Sequence, residues 1–134
     1  TKGAGAYLNE KRIRVTKLDR ISNALLGTGY VAGSARALDE YLKMYAIMGE
    51  RSQGVRRAGS AALDLAYVAC GRLDGFYEKG LKPWDIAAGA LMITESGGIV
   101  GEFSGESDYL YKGDVIAASP KIFGQMITLL TPFA

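Results

Sequence analysis

A chain of 134 residues, 49 % hydrophobic and 22 % charged, has the balance of one folded domain with a real core, which excludes a disordered tail. The 16 Lys and Arg against 14 Asp and Glu leave a formal charge of +2, too small a surplus to direct the chain to nucleic acid or to an anionic membrane surface. No His is present and Cys70 is the single Cys, so this chain alone offers no Ser-His or Cys-His nucleophile, no His-bound zinc and no internal disulfide. Any chemistry must run on carboxylates, hydroxyls, backbone donors and cations. The chain shows neither a signal-like start nor an apolar run long enough to cross a bilayer, and with its lone Cys it is expected in the reducing cytoplasm, with no membrane partner.

Residues 4–16 alternate around Asn9-Glu10-Lys11 and predict a short hairpin. Alone it buries little, so it must lean on something else. Residues 23–28 predict a buried strand, and 28–33 a loop. Ser34 is a candidate N-cap for a helix to about Arg51, in which Leu38, Leu42, Tyr45 and Met48 recur at helical spacing, facing a core or a partner. Gln53–Ala58 predicts a second strand ending in Arg56 and Arg57, of which Arg57 is the better placed to meet a phosphate because it is nearer the next motif.

Gly59 and Ser60 open a predicted helix to about Gly71, with Leu63, Tyr67 and Cys70 in one row. Backbone N–H groups exposed at such a start suit an anion or a sugar hydroxyl, and Ser60 suits a simple cap equally well. Leu73–Tyr77 predicts a third strand, closed by Glu78. The helix that follows Pro83 is placed at or just after Trp84, with Asp85 in its first turn at the positive end of the helix dipole. Asp85 reads either as a cap or as a ligand for a hard cation. That helix stops at Gly97-Gly98; strands follow at Ile99–Phe103 and Asp114–Ala118, and Pro120 starts a last amphipathic helix. The alternation predicts an α/β fold, a mixed or mostly parallel five-stranded sheet with helices on both faces, plus the separate hairpin.

Four blocks in order, Gly59-Ser60-Ala61-Ala62, Asp74-Gly75-Phe76-Tyr77-Glu78, Pro83-Trp84-Asp85-Ile86-Ala87-Ala88-Gly89 and Glu95-Ser96-Gly97-Gly98, resemble the inositol monophosphatase family, most of all its bacterial branch. Those proteins are magnesium-dependent, lithium-sensitive phosphatases of sugar and polyol phosphates, commonly homodimers. The resemblance implies that Asp85 is a ligand of Mg2+, that Glu78 accepts a hydrogen bond from a substrate hydroxyl, and that Gly59, Ser60 and Ala61 line the substrate pocket. Ser60 stands where relatives often have Thr. The family's acidic motif Asp-Pro-x-Asp-Gly-Thr and its upstream Glu do not occur in the chain.

The resemblance therefore covers the carboxyl-terminal half only. It makes residues 1–18 the hairpin that ends the preceding half and 19–134 the substrate-binding domain. With one clear metal carboxylate the chain by itself is expected to be inactive and to need the amino-terminal half, its small-molecule partner being a phosphate monoester. Alternative substrates are histidinol phosphate, fructose bisphosphate or a nucleotide bisphosphate. Some bacterial members also act in ribosomal RNA transcription through protein partners, which is the regulatory alternative.

Overall fold

In the computed structural model, which describes residues 3–30 and 34–134, the first element is the hairpin, β1 (Tyr7–Leu8) against β2 (Lys11–Arg12). Its two connecting residues, Asn9 and Glu10, both have left-handed backbones (φ 51° and 68°), the hand that suits the twist of a tight hairpin. The hairpin touches the rest of the chain through the Gly5 N–H, which donates to Glu95 Oε1 at 3.0 Å.

The main sheet follows the predicted alternation with shorter strands. β3 (Leu25–Thr28), α1 (Ala35–Arg51), β4 (Gly54–Arg56), α2 (Ala61–Ala69), β5 (Gly75–Glu78) and α3 (Pro83–Glu95) are followed by β6 (Ile99–Gly101), a one-turn helix α4 (Tyr109–Lys112), β7 (Val115–Ala118) and α5 (Pro120–Leu130). The strand predicted from Asn23 begins at Leu25, because Ile21–Asn23 coils into a 3₁₀ turn first. The helix placed at or after Trp84 begins at Pro83, where the missing N–H of proline would have had no partner in any case. Residues 31–33 of the predicted loop lie outside the described residues.

Sheet order is β4-β3-β5-β7-β6, with β3, β4 and β5 parallel and β7 antiparallel to both its neighbours. Every residue of β5 and β7 is buried, and their side chains alternate between two cores. Tyr77, Ile116 and Ala118 join Met44 and Met48 of α1 and Ile122, Met126 and Leu130 of α5 on one face. Phe76, Val115 and Ala117 join Leu65 and Val68 of α2 and Ile86, Ala90 and Ile93 of α3 on the other. The segment after the hairpin passes between them: Ile13 packs on the α2–α3 core, Leu18 and Ile21 on the α1–α5 core.

Two predicted apolar rows are turned differently from a core-facing assignment. On α1 Met48 is buried, whereas Leu38, Leu42 and Tyr45 are exposed, Leu42 by 54 %. The inward face is set by Met44 and Met48, and the outward one carries an ion pair between Lys43 and Asp39 at 3.1 Å. On α2 Leu63 is 45 % exposed and the buried residues are Asp64, Leu65, Val68 and Ala69. Gly89 lets α3 approach α2 closely, since a Cβ there would lie 2.6 Å from Leu65 Cβ. Of the small residues after Asp85, Gly89 and Ala90 thus serve packing, whereas Ala87 and Ala88 are exposed.

Candidate active site at the carboxyl ends of the parallel strands

The carboxyl ends of β3, β4 and β5 open between the first turns of α2 and α3, the crevice where open α/β sheets bind ligands. Gly59, with φ of 87°, turns the chain from β4 into α2, and a Cβ there would meet nothing within 4 Å, so glycine serves the backbone rather than the space. Ser60 caps α2, its Oγ accepting the Leu63 N–H at 3.2 Å. Glu78 is the last residue of β5 and only 6 % exposed. Asp85 lies in the first turn of α3, where its Oδ2 accepts the Lys82 N–H at 3.0 Å and fixes the helix start. The cap reading of Asp85 holds for that oxygen; no hydrogen bond among the described residues uses the other.

These residues share one cavity of about 390 Å³. The turn from Gly59 to Ala62, Glu78 and Asp85 form three of its sides, and Gly29, Tyr30, Arg57 and Leu81 complete the lining. All five residues singled out from the sequence, Gly59, Ser60, Ala61, Glu78 and Asp85, are therefore brought together, although Glu78 and Ser60 come from different strand-to-helix connections. Of the two adjacent arginines, Arg57 lines the cavity.

Negative charge crowds this end of the sheet. Burial first, then the neighbouring charges of Asp64 and Asp85, push the Glu78 carboxyl up to about 7, against a lowering by Arg57. Asp64, on α2 and 2 % exposed, is pushed up to about 6 by burial. It does not line the cavity, but its charge acts on Glu78; that place is not evident from periodicity, and the one available signal is that it is the only charged residue in α2. Tyr30 rests against Tyr41 with ring centroids 5.1 Å apart, and Tyr41 against Tyr45 at 6.0 Å. Behind Glu78, the Lys79 ammonium stands 3.1 Å from Glu40 and 3.9 Å from Asp114, and it also donates to the Phe133 carbonyl in the turn Thr131–Phe133.

A hard divalent cation takes about six oxygen ligands. Among the described residues no three acidic or other ligating side chains converge on one point, so Asp85 offers a single free oxygen and not a complete cage.

The profile of the inositol monophosphatase family matches residues 1–131. The chain belongs to the inositol monophosphatase family. It is 46 % identical over 131 residues to a protein of Neisseria meningitidis named putative Nus factor SuhB, covering 98 % of this chain and 50 % of that protein. It is 45 % identical to the Nus factor SuhB of Pseudomonas aeruginosa, over 98 % of this chain and 49 % of that one. Among solved structures, the extragenic suppressor protein suhB of Bartonella henselae superposes with a TM-score of 0.90 at 39 % identity, over 96 % of this chain and 49 % of that one. The inositol monophosphatase of Anabaena gives 0.85 at 34 % identity, over 97 % and 54 %. The chain thus spans about half the length of the relatives it matches. No helix among the described residues is long and apolar enough to cross a membrane.

Proposed function

We propose that this chain is the carboxyl-terminal, substrate-binding half of a magnesium-dependent phosphatase that hydrolyses a polyol or sugar phosphate monoester. The observation that carries the reading is the convergence of Glu78, Asp85 and the Gly59–Ala61 turn on one cavity at the carboxyl ends of parallel strands. Asp85, with one oxygen held by the helix start and the other free, would hold Mg2+ together with acids from the other half. When bound, the metal supplies neutralisation of the phosphate and a more acidic water. Glu78 meets a substrate hydroxyl, the backbone of Gly59 to Ala61 lines the ring, and Arg57 offers a cation to the phosphate.

The missing half finds its place on the outer surface of α2 and α3. Leu63, Trp84 and Leu91 are exposed there, Trp84 by 78 %, and the hairpin that would join the preceding half is tied to the end of α3. A helix apolar all round belongs in an interior. The exposed Leu38, Leu42 and Tyr45 of α1 offer a second surface, suited to the partner subunit of a cytoplasmic homodimer.

The test is phosphate release from inositol 1-phosphate with magnesium by the full-length protein and its Asp85→Asn variant. Turnover is expected to fall by about 100-fold or more with the fold retained. An unchanged rate would reduce Asp85 to a helix cap, and turnover by the 134-residue chain alone would refute the need for the other half. A panel with histidinol phosphate, fructose bisphosphate and a nucleotide bisphosphate distinguishes the related substrates. The resemblance to bacterial members that act in ribosomal RNA transcription through protein partners gives a second reading, and the Neisseria and Pseudomonas relatives carry the name Nus factor SuhB. Retention of transcription partners by the Asp85→Asn protein would support it, and an empty pull-down would count against it.

A further inference from the structure

Gly27 and Gly29 stand two apart at the end of β3, so they face the same side of the extended chain. On that side each meets an acid. A Cβ on Gly27 would lie 2.9 Å from Cδ1 of Leu73 and 3.4 Å from Cγ of Asp64; one on Gly29 would lie 2.7 Å from Cδ of Glu78, 3.2 Å from its Oε2, and would overlap its Oε1. Neither glycine has a positive φ, so the backbone does not require glycine at either place. The contrast is Gly49 on α1, where an added Cβ meets nothing within 4 Å. Glu78 is buried, yet no hydrogen bond from the described residues reaches its carboxyl, and Arg57 is exposed. What locates that carboxyl is therefore contact with bare backbone at Gly29, at the wall of the cavity where Tyr30 and Gly29 face the Gly59–Ala62 turn.

We propose that Gly29 is a specificity-determining position: its lack of a side chain is the seat of the Glu78 carboxyl and sets how deep that carboxyl lies in the cavity. The proposal rests on the reading of Glu78 as the group that meets a substrate hydroxyl. Any side chain at 29 pushes the carboxyl outward, into the space a polyol ring would take. Asp85 and the metal it would hold lie on another element, so the chemical step is spared while recognition of the ring is not.

The experiment uses full-length Gly29→Ala, with Gly49→Ala as control. For inositol 1-phosphate, KM is expected to rise about tenfold with kcat within about threefold; for p-nitrophenyl phosphate, which has no second hydroxyl, KM is expected to stay within about twofold. In a Glu78→Ala background the same change at 29 is expected to have no effect on KM, because the clash is gone. Shortening the acid in the double variant Gly29→Ala with Glu78→Asp is expected to recover about fivefold in KM, or to restore folding should Gly29→Ala alone fail to fold. Carbodiimide labelling of Glu78, followed by peptide mass, reads the seat without any turnover and is expected to quicken about fivefold in Gly29→Ala relative to wild type. An equal KM change for both substrates, persistence of the effect without the Glu78 carboxyl, or an unchanged labelling rate overturns the proposal. Absence of phosphate release from wild type overturns the phosphatase reading instead, and the labelling then decides the seat by itself.

Discussion

The two helical layers on the sheet solve different problems. α1 and α5 turn Met44, Met48, Ile122 and Met126 inward and leave Arg36, Asp39, Lys43 and Lys121 outside, with the exposed Leu38, Leu42 and Tyr45 of α1 set among those charges. α2 and α3 also expose Leu63 and Leu91, and they carry few charges: Asp64 is buried, Asp85 lines the crevice, and Glu95 meets the hairpin at the far end of α3. Both layers thus keep apolar side chains on the outside, but on α1 they are interleaved with charges, as a surface that can also stand in water would be, whereas α2 and α3 supply the site and have few charges beside theirs. In the second layer the packing is also tighter, Gly89 allowing contact that a larger residue would prevent.

The largest effect that would break this contrast is a charge placed on each outer surface in turn. Leu91→Asp is expected to destabilise the full-length protein by about 3 kcal/mol in urea unfolding, since a carboxylate would be buried without a partner. Leu42→Asp on α1 is expected to leave the monomer within ~0.5 kcal/mol and to shift sedimentation from dimer to monomer. Equal destabilisation by both would erase the distinction between the layers.

Next comes the interior. Gly89→Val is expected to cost about 1–3 kcal/mol by forcing α2 and α3 apart, measured by the same unfolding curves. The crevice adds a pH dependence. The folded Glu78 carboxyl binds its proton more tightly than the unfolded one, so its penalty is absent below about pH 4.5 and grows as pH rises to about 7. Glu78→Gln is accordingly expected to be more stable than wild type by about 2 kcal/mol at pH 8, the gap closing toward pH 4.5 in a pH series of unfolding curves. The smallest effect belongs to the helix caps. Ser34→Ala removes the oxygen that accepts the Ala37 N–H and is expected to cost about 1 kcal/mol in thermal unfolding.

Most of the architecture was legible because its signals are local. Ser34, Ser60, Pro83 and Pro120 mark helix starts through chemistry that acts within one turn, and the short apolar runs of β5 and β7 have the composition of strands covered on both faces. The direction of α1 around its own axis was not legible. Leu38, Leu42 and Tyr45 repeat with as good a helical period as Met44 and Met48, and only the partner layer decides between two such stripes. α4, four residues long, is too short for any period to show. Within the site, Glu78 and Asp85 stood out because glycine, proline and tryptophan frame them. Asp64 and Gly29 gave no such sign, because their roles arise from contacts between α2, β3 and β5 that are far apart in the chain.

The grip of Lys79 on the carbonyl of Phe133 ties the residue beside Glu78 to the turn that follows α5, with Glu40 and Asp114 steadying the same ammonium. The turn Thr131–Phe133 is thereby a brace for the crevice. A protease cut before Thr131 would slacken the strand that carries Glu78 from the far side, without touching a single atom that lines the cavity.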